Sequence, residues 1–340
     1  MREAPSGGEG EGMSRAWGLS LVGLLAAAAF LLYGTFTWRP PEPSQPLKVA
    51  IGVWPGSETL VYARESGMFR REDVQLVEMA WSSATKVAFV NRVVDAAAVS
   101  LDEVLRLLES RTDFRVVMVF GFSDGGDAVL ARPGTRSVAE LRGRRIGVEA
   151  NAVGSFILNT ALEQAGVRPD EVETVSMNLA EMEAAYLAGE LDAVVTGEPW
   201  TIRLQANGAV ELFSSRQMNR DVCRVLVVRE DVLRDRPEDL STLVAAHFQA
   251  MPLLRQGGDP AVLDIIRRRL GVTEAEFQSV LSRMQQPDLR ENLRLIEGKP
   301  PALRALADRV AERMVRQKLL ASAPGGSEWL TGDCIKGVIR

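Results

Sequence analysis

Along most of the chain, short apolar runs rich in β-branched residues alternate with stretches whose apolar positions recur every three or four residues. Lys48-Val49-Ala50-Ile51-Gly52-Val53 reads as a strand, and a helical pattern follows Gly56-Ser57. The same succession returns as Arg145-Ile146-Gly147-Val148, then Gly154-Ser155 and a second helical pattern. Glu72-Asp73-Val74-Gln75-Leu76-Val77 matches Asp170-Glu171-Val172-Glu173-Thr174-Val175, and Asp95-Ala96-Ala97-Ala98-Val99-Ser100 matches Asp192-Ala193-Val194-Val195-Thr196. The landmarks keep a nearly constant separation, which marks an internal repeat. Each copy runs strand, helix, strand, helix, strand, the alternation that builds a parallel sheet covered by helices. Ligands of such sheets sit beyond the carboxyl ends of the strands, so two facing copies predict a cleft between two lobes. From Arg224 to Arg340 the chain opens with one β-rich run and is then mostly helical by period. Leu303, Leu306, Val310 and Met314 form one stripe there, which predicts a packed helix face.

Ahead of this region, Ala16 to Trp38 carries no charged residue. A helix rising about 1.5 Å per residue over that run spans the roughly 30 Å hydrocarbon core of a bilayer. Trp17, Tyr33 and Trp38 stand toward its ends, where amphipathic rings favour the interface. No Ala-x-Ala-like site follows Tyr33 and no cysteine closes the run, so an uncleaved anchor is expected, with a cleaved signal peptide as the competing reading. Arg39-Pro40-Pro41-Glu42-Pro43-Ser44-Gln45-Pro46 favours polyproline geometry and reads as a stiff spacer. The organisation is therefore a short leader over 1–15, an anchor or signal segment over 16–38, a Pro-rich linker over 39–46, and a folded region from Leu47.

Composition narrows the function. With 40 basic against 45 acidic residues the net charge is −5, which gives no basic field to hold nucleic acid. One histidine, His247, and two cysteines, Cys223 and Cys334, leave no set of residues for a zinc site, so neither metal nor cofactor is expected. A Ser-His-Asp arrangement would have to be built on His247, which reads as a helix-face residue without a catalytic role. Whether Cys223 and Cys334 form a disulfide depends on compartment and on Cα atoms within about 7 Å, which spacing does not settle.

Candidate binding residues lie where strands give way to helices. Trp54 ends the first strand beside Pro55-Gly56, where its ring would stack on a ligand or plug the loop. Ser57 and Ser155 stand at predicted helix starts, where each would cap the helix and where backbone N–H groups would also face the cleft. Ser82, with Ser83 and Thr85, follows the second strand under the same two readings; Ser100 and Thr196 end strands at the cleft. Asp127 follows Gly125-Gly126, and Glu198 precedes Pro199-Trp200, whose Trp200 would wall the cleft. Counting loop charges, Glu58, Asp102, Glu103, Asp124, Asp127, Glu149 and Glu198 outnumber the basic groups, of which Lys86 is the nearest. That balance favours a cationic, zwitterionic or pyrimidine-like solute over an inorganic anion.

Taken with Gly52-Val53-Trp54-Pro55-Gly56, the segments Ala63-Arg64-Glu65-Ser66-Gly67-Met68-Phe69, Gly125-Gly126-Asp127-Ala128, Glu198-Pro199-Trp200 and Val225-Leu226-Val227-Val228-Arg229-Glu230-Asp231 carry a resemblance over roughly Leu47 to Leu320. The chain resembles the periplasmic substrate-binding proteins of the nitrate/sulfonate/taurine and thiamine-pyrimidine-precursor group that serve ABC importers. The resemblance implies an α/β, two-lobed, type II flytrap with parallel-type sheets; the one transmembrane helix expected ahead of it departs from that family, many of whose members are cleaved and released or lipid-tethered. It implies crossings near 128–133 and 222–227, with lobe one as 47–130 plus 224–340 and lobe two as 131–223. It further implies a non-catalytic, monomeric receptor on the outer face of the cytoplasmic membrane, to which the expected helix would anchor it, delivering a small organic solute to an ABC permease with a cytoplasmic ATPase. A membrane-tethered sensor or assembly factor, or an enzyme on the same fold, are the alternatives. The related pyrimidine synthases rely on histidine and a cysteine-rich motif, and this sequence offers neither.

Overall fold

The first β-rich run forms β1 (Leu47–Ile51), and the repeat unfolds from it as α1 (Glu58–Glu65), β2 (Val74–Glu78), α2 (Ser82–Val90), β3 (Ala96–Ser100) and α3 (Leu101–Leu108). After β4 (Phe114–Ser123) come β5 (Ala128–Ala131), β6 (Arg145–Val148), α4 (Ala152–Gln164), β7 (Glu173–Ser176), α5 (Leu179–Ala188), β8 (Ala193–Thr196), α6 (Trp200–Ala206) and β9 (Val210–Ser214). The tail runs β10 (Cys223–Arg229), α7 (Glu230–Asp235), α8 (Pro237–Gln256), α9 (Pro260–Leu270), α10 (Glu274–Ser282), β11 (Met284–Gln285), α11 (Leu289–Glu297), α12 (Ala302–Arg316) and α13 (Asp333–Ile339). In this computed structural model the structure describes residues 45–80, 82–149 and 152–339. The expected leader, the expected anchor over 16–38 and most of the expected linker lie outside the described residues. Among the described residues no helix is long and apolar enough to cross a membrane.

Two sheets result, ordered β11-β4-β10-β3-β1-β2 and β7-β6-β8-β5-β9. In each, the repeat supplies three parallel strands, β2-β1-β3 and β7-β6-β8. The expectation of parallel sheets needs correction, because both are mixed. β10 runs antiparallel to β3 and β4, and β5 runs antiparallel to β8 and β9. The reason is connectivity: β5 and β10 are the strands by which the chain enters one lobe from the other, and an antiparallel neighbour needs no crossover helix.

The crossings also sit earlier than expected. The chain leaves β4 at Ser123 and enters β5 at Ala128; it leaves β9 at Ser214 and reaches β10 at Cys223. All of β5 therefore belongs to the second sheet, not partly to the first lobe. The two connecting segments are hydrogen-bonded to each other. The hydroxyls of Ser123 and Ser215 lie 2.9 Å apart, Gly125 N donates to Ser215 Oγ at 2.7 Å, Ser215 N to Asp127 O at 2.9 Å, and Ser123 N to Val222 O at 2.9 Å. Gly125 holds φ +90°, and a Cβ there would also meet the Arg216 guanidinium at 2.8 Å, so this bend requires glycine.

The central strands β1, β3, β4 and β10 of the first sheet are buried on both faces, and the α12 stripe of Leu303, Leu306, Val310 and Met314 packs into the same core. Cys223 and Cys334 are both buried free thiols, and burial raises the pKa of each, that of Cys334 to about 12. His247 is wholly buried on α8; its Nδ1 lies 2.7 Å from Thr59 Oγ1, and its ring meets the edges of Phe120 and Phe248. Burial pushes its pKa down to about 3, so it packs as a neutral ring.

Buried carboxyls set the pH response of this fold. Burial raises Glu58 to about 7 against the pull of Arg269, whose Nε lies 3.0 Å from Oε1. Burial raises Asp102, and the adjacent charge of Glu103 adds to it; burial also raises Glu198 to about 7. Each holds its proton more tightly folded than unfolded, so stability is full below the unfolded value and falls as pH rises through about 7. His247 works in the opposite sense below its unfolded value of 6.5, with one proton against three. Thermal melts are expected to give a higher Tm at pH 6 than at pH 8; an equal or higher Tm at pH 8 contradicts this assignment.

Candidate functional site

The loops that follow β1 and β8 line one narrow cleft, with a free volume of about 30 Å³. Its walls come from both lobes. Val53, Trp54 and Arg224 belong to the first; Glu149, Val153, Gly154, Ile157, Leu179, Val195, Thr196, Gly197, Glu198 and Trp200 belong to the second. Asp127, in the first crossing, closes the hinge side.

Trp54 is held by shape. It stands in extended conformation ahead of the Pro55–Ser57 turn, and its ring folds back over Gly56, where a Cβ would come within 1.9 Å of it. The Arg224 guanidinium carbon sits 5.4 Å from the Trp54 ring centroid, so one aromatic face already carries a cation. Trp200 is placed likewise, with Arg203 at 5.4 Å.

Three carboxylates are sunk in these walls, Asp127, Glu149 and Glu198, exposed by 6%, 7% and 4%. Asp127 nears the end of β8, since a Cβ on Gly197 would lie 2.7 Å from its Oδ1. Burial raises its pKa, opposed by the Arg224 charge and the Ser123 hydroxyl. Burial raises Glu149 too, against Arg224 and a hydrogen bond accepted from the backbone N–H of Ser83, at the start of α2 in the opposite lobe. For Glu198 burial outweighs Arg283, whose Nη1 approaches Oε1 at 3.0 Å. Oε2 of Glu198 accepts from Ile202 N at 3.2 Å, while buried Oε1 has the ionic contact with Arg283 but no aligned hydrogen bond. The cleft thus offers one arginine among three desolvated carboxylates, an arrangement that rewards a ligand bringing hydrogen-bond donors or positive charge.

The sequence-derived candidates divide. Trp54, Asp127, Glu198 and Trp200 come together in the cleft. Ser57 does not line it: its hydroxyl donates to Trp54 O at 2.9 Å and caps nothing, because the Pro55–Ser57 turn leads directly into α1. Ser100 is buried in a capping box, its hydroxyl 3.2 Å from Glu103 Oε2. Ser155 lies inside the first turn of α4 instead of ahead of it, half-buried and outside the lining residues. Ser82 begins α2, and its side chain lies outside the described residues. Of the other loop charges, Glu58 is committed to Arg269, and Lys86 pairs with Glu103 at 3.5 Å. Arg224 went unnoticed as a site residue. Its signal was faint: a charge beside Cys223 at the edge of the apolar run Val225–Val228, a position that strand boundaries also fill.

Comparisons with known proteins agree with this architecture. A putative binding protein of Brucella abortus (strain 2308) is 28% identical over 163 residues, which cover 47% of this chain and 50% of that protein. The chain thus spans about half the length of the Brucella relatives it matches. The taurine-binding periplasmic protein of Escherichia coli (strain K12) is 22% identical over 234 residues, 67% of this chain and 70% of that protein. Among solved structures, the alkanesulfonate-binding protein SsuA from Xanthomonas axonopodis pv. citri, bound to MOPS, superposes with a TM-score of 0.66 at 18% identity, covering 82% of this chain and 95% of that one. The desulfurization enzyme DSZB has the same fold, with a TM-score of 0.63 at 20% identity, covering 87% and 99%. The model of the NMT1-like family matches residues 40–265, and with two lobes, paired crossings and an interlobe cleft in place, this chain belongs to that family.

Proposed function

We propose that this protein is an extracytoplasmic receptor that closes on one small organic solute and presents it to an ABC permease with its cytoplasmic ATPase. A monomer, tethered through the segment 16–38, fits this reading. The solute belongs to the sulfonate, taurine and thiamine-precursor range, with an amine or pyrimidine-like donor group preferred over an inorganic anion. One observation carries the preference: Asp127, Glu149 and Glu198 are buried in the cleft walls, where Arg224 is the one cation in the lining and Arg283 answers Glu198 from behind. An anion there would meet repulsion and desolvation together, whereas a donor-bearing solute would pair with the buried carboxyls. Kinship with a taurine-binding protein supports a solute that carries positive charge as well as negative.

The chemistry of the site supports binding over catalysis. Neither thiol lines the cleft, both are held protonated by burial, and His247 is sealed in the core. The likeness to DSZB therefore reads as shared fold, not shared reaction.

Two outcomes test the reading. In isothermal calorimetry, taurine or an aminopyrimidine should bind more tightly than nitrate or a simple alkanesulfonate. Asp127→Asn should weaken that binding by about tenfold or more, the size of one hydrogen bond to a charged group. Micromolar binding of nitrate or an alkanesulfonate, undiminished in Asp127→Asn and Glu198→Gln, would refute the preference. Separately, Gly56→Ala places a methyl where the Trp54 ring now lies, so the ring must leave its present place in the cleft wall. The expected result is a folded protein with altered tryptophan emission and weakened solute binding; unchanged emission and affinity would show that Trp54 can adjust without cost to the site.

A further inference from the structure

Arg283 does not line the cleft, yet three parts of the molecule meet on it. It follows α10 in the first lobe and leads into β11. Its backbone oxygen accepts from Asp124 N, in the first crossing, at 2.8 Å. Gly126 presses against the same oxygen, which a Cβ there would approach to 3.1 Å. Its side chain then crosses to the second lobe: Nη1 lies 3.0 Å from Glu198 Oε1 in the cleft wall, and Nη2 donates to Gln205 Oε1 on α6 at 2.8 Å. One residue thus touches the hinge with its backbone and the far wall of the cleft with its guanidinium.

We infer that Arg283 is a positioning residue that couples the charge state and solute contact of Glu198 to the angle between the lobes. This deepens the solute-receptor reading and rests on it only in taking Glu198 as a solute contact. A ligand shifts an open–closed equilibrium only through contacts that differ between the two states. Glu198 supplies such a contact because its carboxylate faces both ways, toward the cleft and toward Arg283. A solute donor bonding the Glu198 carboxylate changes how firmly Arg283 holds the second lobe, and the Asp124 bond passes that change to the hinge. The groups facing Glu198 are Arg283 from the end of α10, Asp127 from the crossing and Ile202 N from α6; the first and last favour its ionised form, and Asp127 and burial oppose it. Gln205 anchors the guanidinium independently, so the direction of the fork does not depend on Glu198 alone.

The test needs no solute. Exposed Ala188 on α5 and exposed Ala261 on α9 report the two lobes; Ala188→Cys and Ala261→Cys, in the full chain with its two native cysteines buried, accept a spin-label or fluorophore pair. Arg283→Gln should raise the population of long interlobe distances by about threefold or more, the size of coupling expected between contacting charged residues. Arg283→Lys, which keeps the charge, should return the distribution most of the way. Glu198→Gln combined with Arg283→Gln should move it no further than Arg283→Gln alone. An unchanged distribution in Arg283→Gln with a wild-type melting temperature, or strictly additive effects of the two substitutions, overturns the inference. Failure of every solute to bind would strike at the receptor reading and leave this measurement standing.

Discussion

Everything at the centre of this molecule is arranged around one guanidinium that has no surplus to give. Arg224 stands at the head of a strand buried on both sides, where a charge is tolerated only if it is answered. It is answered more than once over: its charge steadies Asp127 and Glu149 in the cleft and reaches Asp102 behind it. Burial nevertheless prevails at all three, so the carboxyls bind protons more readily than they would in water. The cleft is therefore electrostatically incomplete by construction, and a ligand that completes it gains from charge that folding has already desolvated.

That incompleteness is kept close to the hinge. Asp127 is at once a cleft residue and a member of the crossing, its backbone held by Ser123 and Ser215. The Ser123–Ser215 contact makes the two connecting segments a short hydrogen-bonded ladder instead of two loose strings. Such a pivot bends along one direction more readily than others, because sliding one segment past the other breaks several bonds at once.

The repeat made most of the fold legible. Matching Gly52 with Gly147 and Val74 with Val172 placed six of the strands in two equivalent sets, since hydrophobic periodicity reports local structure. It could not report that β10, distant in sequence, pairs between β3 and β4, because partner choice is a long-range property. The site was half legible for a similar reason. Bulky or charged residues at strand ends, such as Trp54 and Glu198, have few other reasons to be there. Serines at those positions serve the backbone equally well, as Ser57 and Ser100 do. Arg224 was concealed by its neighbours: Val225-Leu226-Val227-Val228 reads as strand interior, and a single charge at its edge looks like a boundary.

The position of β10 also bears on how the chain comes to be folded at all. While a ribosome is still adding residues, β3 and β4 exist without the strand that joins them, and each presents an unpaired edge. The second sheet is complete in sequence by Ser214, before β10 begins at Cys223, so it can consolidate as an inserted unit while the first waits. Until that strand arrives, the earlier half is an exposed template for pairing with other chains. A chain with this order of synthesis therefore depends on being kept unfolded, or shielded, for longer than its small size would otherwise require.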